Sequence, residues 1–135
     1  MKWQKSLLTT LQRHKGEKIA LAVDTSTNEV STELINNIVA LFAQLSPETK
    51  LVQSDFKIRD ISTIDQANIT YYKHGKSSYT EVLEWAEEEN IDILFYITDV
   101  TGYFYDELKV DYDVMWLVPN DFVPKVPFGK TLKIA

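Results

Sequence analysis

Three places along this chain set oxygen-bearing side chains where the local pattern changes. The apolar run IALAV over residues 19–23 ends in Asp24, with Ser26 and Asn28 two and four residues further on. The run DILFYI over residues 92–97 ends in Thr98 and Asp99. Between them, HGKSSYTEVLEWA places Ser77 and Ser78 just ahead of helical spacing. Carboxylates, hydroxyls and an amide carbonyl are hard donors of the kind that hold Mg2+ or Mn2+, provided that the three places meet. Taken singly, Asp24 or Ser26 would do no more than cap a helix, a role that both residue types favour.

Whether they meet depends on the elements around them. Residues 19–23 and 92–97 read as strands of the continuous apolar kind, buried on both faces of a parallel sheet. Leu34, Ile35, Ile38, Val39, Phe42 and Leu45 trace one face of a helix that stops before Pro47. Ser78 and Glu81 have the spacing of a capping box, opening a second helix through Val82, Leu83 and Ala86 to about Asn90. Over residues 50–72 the runs KLVQSDF, KIRDIST and NITYY predict a strand, a hairpin and an edge strand. VMWLV is a further strand, and the terminal PFGKTLKIA closes the sheet. Trp3, Leu7, Leu8 and Leu11 add an amphipathic N-terminal helix ending near Gly16. In such an α/β sheet ligands bind beyond the carboxyl ends of the strands, which is where Asp24 and Asp99 fall and where right-handed crossovers would bring Ser77.

Length and composition set bounds on this reading. With 135 residues, the chain is expected to form one domain over residues 1–135, the first 16 packing on it as a helix. A balance of 14 basic to 20 acidic residues, net charge -6, has the wrong sign for a protein whose main partner is a phosphate backbone. Nucleic acid is therefore not expected as a partner. The absence of cysteine excludes disulfides, thiolate metal sites and a cysteine nucleophile, and fits a reducing compartment. Lys2, Lys5, Arg13 and Lys15 interrupt the N-terminal apolar residues, so no signal-peptide run forms and no stretch reaches membrane-span length. A cytoplasmic location without membrane contact is the expectation. EWAEEEN reads as a solvated helix face and His74 as an exposed loop residue, while Tyr103, Phe104 and Tyr105 could anchor a partner beside the acidic edge.

The three motifs together resemble the von Willebrand factor A type domain and its metal-ion-dependent adhesion site. The chain more closely resembles the A-like domain at the C-terminus of bacterial proteins that also carry a metallopeptidase-like region. The family pattern is a strand ending in Asp-x-Ser-x-Ser, a Gly-rich loop with a Thr before a helix, and a strand ending in Thr-Asp-Gly. Asp24 and Ser26 match the first motif with Asn28 at its second Ser; Ser77 takes the Thr position; YITDV matches the third, with Val100 replacing Gly. WLVPND and PFGKTLKIA resemble the closing strands, so the likeness spans almost the whole chain. It implies a three-layer, Rossmann-type α/β fold with a mostly parallel central sheet, helices on both faces and an antiparallel edge strand. It also implies a degenerate cation site of Asp24, Ser26, Asn28, Ser77 and Asp99, weak for Mg2+ or Mn2+. A protein partner follows, an AAA+ ATPase or a metallopeptidase-like region. Lys76 would stand beside this site and could replace the ion.

Three functions remain open on these residues. The first is a protein-binding module that uses a divalent cation at the sheet edge. The second is an assembly scaffold with a vestigial site that binds no metal. The third is a hydrolase or phosphoryl-transfer enzyme with Asp24 as nucleophile. That chemistry needs a second carboxylate as acid/base where the chain has Ser26, and no His-Glu-x-x-His occurs, so a non-enzymatic role is expected. Two carboxylates brought together without a cation would repel, which predicts that Asp24→Ala raises or barely alters stability in chelator.

Overall fold

The computed structural model describes residues 2–25, 32–55, 57–64, 79–100, 110–119 and 125–134. In chain order these form α1 (Lys2–Arg13), β1 (Ile19–Asp24), α2 (Thr32–Leu45), β2 (Lys50–Ser54), β3 (Ile58–Thr63), α3 (Thr80–Glu88), β4 (Ile93–Ile97), β5 (Asp113–Val118) and β6 (Lys130–Lys133). The six strands make one sheet in the order β3-β2-β1-β4-β5-β6. Every pairing is parallel except β2 with β3, the hairpin at one edge. The strand predicted from NITYY lies outside the described residues.

The alternation within the strands explains the layers. Ile19, Leu21 and Val23 of β1 share a core with Phe95 and Ile97 of β4, and that core is covered by Trp3, Leu7 and Leu11 of α1 and by Ile35, Ile38 and Phe42 of α2. The intervening Ala20 and Ala22 face the other way, into a second core with Tyr96, Trp116, Tyr79 just ahead of α3 and the α3 residues Val82, Leu83 and Ala86. Large side chains on one face and alanines on the other give room on the α3 face for three big rings. β1 is buried along its whole length, which is why its sequence runs apolar without a break. Two helices on one face and one on the other complete the three-layer arrangement.

Element ends follow local rules. α1 stops ahead of Gly16, whose φ of 87° is readily adopted by glycine. α3 closes in a Schellman motif, Ile91 N–H donating to the Ala86 carbonyl and Asn90 N–H to that of Glu87, with Asn90 at φ 56°. Its start departs from the sequence expectation. The N-cap position is Tyr79, which makes no side-chain capping bond. Glu81 accepts a 3.2 Å hydrogen bond from the Ile58 amide of β3, and Ser78, its partner in the expected capping box, lies outside the described residues. Glu84, Glu87, Glu88 and Glu89 face solvent, as the acidic run predicts. At the far end, Gly129 (φ 78°) passes so close to β5 that an added Cβ would lie 2.6 Å from the Val114 carbonyl oxygen. Phe128, just before it, accepts the Trp116 indole N–H at 3.0 Å.

Candidate functional site

β1 and β4 are neighbours, and they stand where the strand order reverses. The connection from β1 leads to β2 on one side, while β5 and β6 follow β4 on the other, which makes the carboxyl ends of this pair the switch point where open α/β sheets place their binding crevice. Parallel register sets Val23 beside Ile97. One residue further along each strand come Asp24 and Thr98, then Thr25 and Asp99. The two sequence-predicted carboxylates thus emerge from adjacent strands at one edge of the sheet. Asp24 is buried, at 1% exposure, and Asp99 is half-buried. Ser26, Asn28 and Ser77, together with Lys76, His74 and the aromatic trio at residues 103–105, lie outside the described residues.

A polar network that sequence reasoning did not assign surrounds Asp24. The hydroxyl of buried Thr98 donates to Asp24 Oδ2 at 2.7 Å. Tyr79 Oη lies 3.0 Å from the same hydroxyl, and Val100 N–H donates to it at 3.2 Å. On the β2 side, Ser54 stands directly opposite Asp24 in register and shares a 3.0 Å hydrogen bond with Tyr96 Oη. Thr25 ties β1 to β2, donating both its amide and its hydroxyl to the Ser54 carbonyl at 2.8 and 3.0 Å. Burial pushes the Tyr96 phenol well above its usual 10.0, the Asp24 charge adds to the shift, and the Ser54 hydrogen bond opposes it.

A third carboxylate shares this edge. Asp55 follows β2 with its side chain sealed from solvent, and Arg59 grips it with Nε and Nη2, each at 2.9 Å from a different carboxylate oxygen. Burial alone would raise the Asp55 carboxyl, but the Arg59 guanidinium and the Lys57 amide overcome it and hold the group below its usual 3.8. Asp55 is thereby matched internally. Among the described residues no three of Asp, Glu and His gather as a metal-holding group. Of the five sequence-predicted donors, Asp24 and Asp99 are the two that fall among the described residues.

The network could have been found from one signal only. Thr98 stands inside the strand-end motif YITDV, and its partner Tyr79 directly follows Ser78. The contact of Thr98 with Asp24 bridges 74 residues, a proximity that register creates and linear spacing does not encode.

Among the described residues no helix is long and apolar enough to cross a membrane. Comparison with curated proteins and with solved structures finds no match. The family model of the VWA-like domain (DUF2201) matches residues 19–135, from the first residue of β1 through the sixth strand, and the chain belongs to that family.

Proposed function

We propose that the chain is a protein-binding module whose partner surface is the carboxyl edge at the β1/β4 crevice. The observation that carries this reading is the 2.7 Å bond from Thr98 to Asp24, which joins the first and third family motifs at the point where the strand order reverses. The donor chemistry suits a hard cation: two carboxylates reach this edge from adjacent strands, and hydroxyls or an amide carbonyl from Ser26, Asn28 and Ser77 would supply the rest. When bound, Mg2+ or Mn2+ would offer a coordination position to a partner carboxylate. The role calls for no nucleophile, and we read the chain as non-enzymatic. An AAA+ ATPase or a metallopeptidase-like region is the partner class that the family likeness favours.

A scaffold that binds no cation is the second reading, and one observation favours it. Asp24 is almost wholly buried and already takes a hydroxyl donor from the protein, so part of its charge is met without an ion. Calorimetric and thermal titration with Mg2+ and Mn2+ separates the two. A cation-dependent module gains about 2.7 kcal/mol at a hundredfold excess over its dissociation constant, and both Asp24→Ala and Asp99→Ala abolish the gain. A melting temperature unmoved to tens of millimolar cation selects the scaffold.

A further inference from the structure

Thr98 Oγ1 has one proton to give and two positions at which to accept. A carboxylate only accepts, so the proton goes to Asp24 Oδ2, and the Val100 amide can only donate to the hydroxyl. The remaining position faces Tyr79 Oη at 3.0 Å. With the threonine proton committed to Asp24, the phenol must be the donor. The chain of hydrogen bonds therefore has one direction, from Tyr79 through Thr98 to Asp24. Tyr79 cannot easily swing away: it is fully buried at the N-cap position of α3, edge-on to Tyr96 at 5.2 Å and to Trp116 at 5.5 Å.

We propose that Thr98 and Tyr79 are positioning residues for Asp24. Tyr79 orients the Thr98 hydroxyl, and Thr98 fixes one carboxylate oxygen before any ligand arrives, so the start of α3 sets the geometry of the β1/β4 crevice. Hydrogen bonds in such a series strengthen one another when the terminal acceptor is charged. Loss of the phenol is then felt at Asp24, two bonds away. The proposal rests on the reading of this edge as a binding surface only for its functional consequence; the relay itself is a property of the fold without a cation.

Two measurements on the full chain keep these apart. In chelator, urea denaturation of Tyr79→Phe is compared in the native background and with Asp24→Asn, which keeps the shape of the side chain and removes its charge. The relay predicts that the fall in midpoint caused by Tyr79→Phe shrinks by at least half in the Asp24→Asn background. Equal falls in both, as a phenol that merely packs would give, overturn the relay. In the second measurement Mn2+ is titrated calorimetrically. Tyr79→Phe should weaken binding about threefold and Thr98→Val at least tenfold, with Thr98→Ser restoring native affinity. Native affinity in Tyr79→Phe and Thr98→Val would overturn positioning while leaving the cation reading intact. If the native chain takes up no Mn2+, the cation reading fails and the chelator cycle alone decides the relay. That cycle does not involve Thr98→Val, so it holds even if this variant fails to fold.

Discussion

The two faces of the sheet are packed with different chemistry. Among the described residues the core on the α1/α2 face is aliphatic apart from Trp3 and the pair Phe42 and Phe95, which meet edge-on at 5.0 Å. On the α3 face three rings crowd together, Tyr96 stacking on Trp116 at 5.3 Å and Tyr79 standing edge-on to both. Each of these rings carries a polar tip, and two of the tips reach the carboxyl edge: Tyr79 to Thr98 and Tyr96 to Ser54. Aromatic residues with a polar handle can fill a core and still hold a hydrogen bond at its border. One face thus mainly holds the fold together, while the other also ties the core to the acidic crevice.

The separation is broken most directly on the aliphatic face. Trp3 is 5% exposed, and Trp3→Ala should cost about 3 kcal/mol by urea denaturation, the range for a large core truncation. Cation affinity and partner capture should stay at the native level wherever the variant is folded. A variant of native stability that had lost partner capture would instead make α1 a docking element.

Asp24→Ala comes next, at about 2 kcal/mol of destabilisation in chelator. This reverses the expectation drawn from two repelling carboxylates. The structure gives Asp24 a hydroxyl donor and buries it, so the alanine would leave the Thr98 proton without its acceptor inside the protein. Unchanged or increased stability would restore repulsion as the dominant effect.

That reversal shows what the sequence could and could not reveal. The strands β1 and β4 are legible because burial on both faces demands unbroken apolar runs, and their terminal aspartates stand out where those runs stop. The hairpin is legible from its short β-type runs, and the apolar faces of α1 and α2 from their periodicity. The donor to Asp24 is hidden, because Thr98 reaches it only through the parallel register of β1 on β4. The start of α3 misleads for a related reason: Glu81 has the local spacing of a cap but finds a partner in β3, 23 residues away. Asp55 is hidden as well, since only the turn into β3 brings Arg59 against it.

A smaller effect, specific to the α3 face, is expected from Tyr96→Phe. The ring stack is kept and the Ser54 hydrogen bond is lost, a cost of about 1 kcal/mol at neutral pH. The variant should also change the alkaline limb of the stability profile. Burial raises the folded-state value of Tyr96 above its ordinary 10.0, so the unfolded chain ionises first. The contribution of the neutral phenol is complete below pH 10 and falls as pH climbs toward the folded value, by about 1.4 kcal/mol per unit for one group. Tyr112 is displaced in the same direction, again chiefly by burial, and keeps its share of the slope in Tyr96→Phe. Denaturation midpoints between pH 9 and 11 read the difference; an unchanged slope would mean that Tyr96 ionises alike in both states.

The smallest effect concerns two residues in the left-handed region, Asn90 at φ 56° and Val100 at φ 59°. Asn90 closes α3, and asparagine adopts this conformation at little cost. Val100 closes the Thr98-Asp99 turn where the family pattern has glycine, and a β-branched side chain resists it by about 1–2 kcal/mol. Two features hold Val100 there: its amide donates to Thr98 Oγ1, and its half-buried side chain packs on the α3-face core. Val100→Gly would relieve the backbone but lose that packing and add freedom to the unfolded chain. These contributions nearly cancel, and a net change below about 1 kcal/mol is expected. The more telling measurement is cation affinity, because glycine at this position loosens the amide that helps orient Thr98. A gain well above 2 kcal/mol would show that the turn stores more strain than its packing offsets, held against the fold where Tyr79 and Thr98 join the aromatic core to the acidic edge.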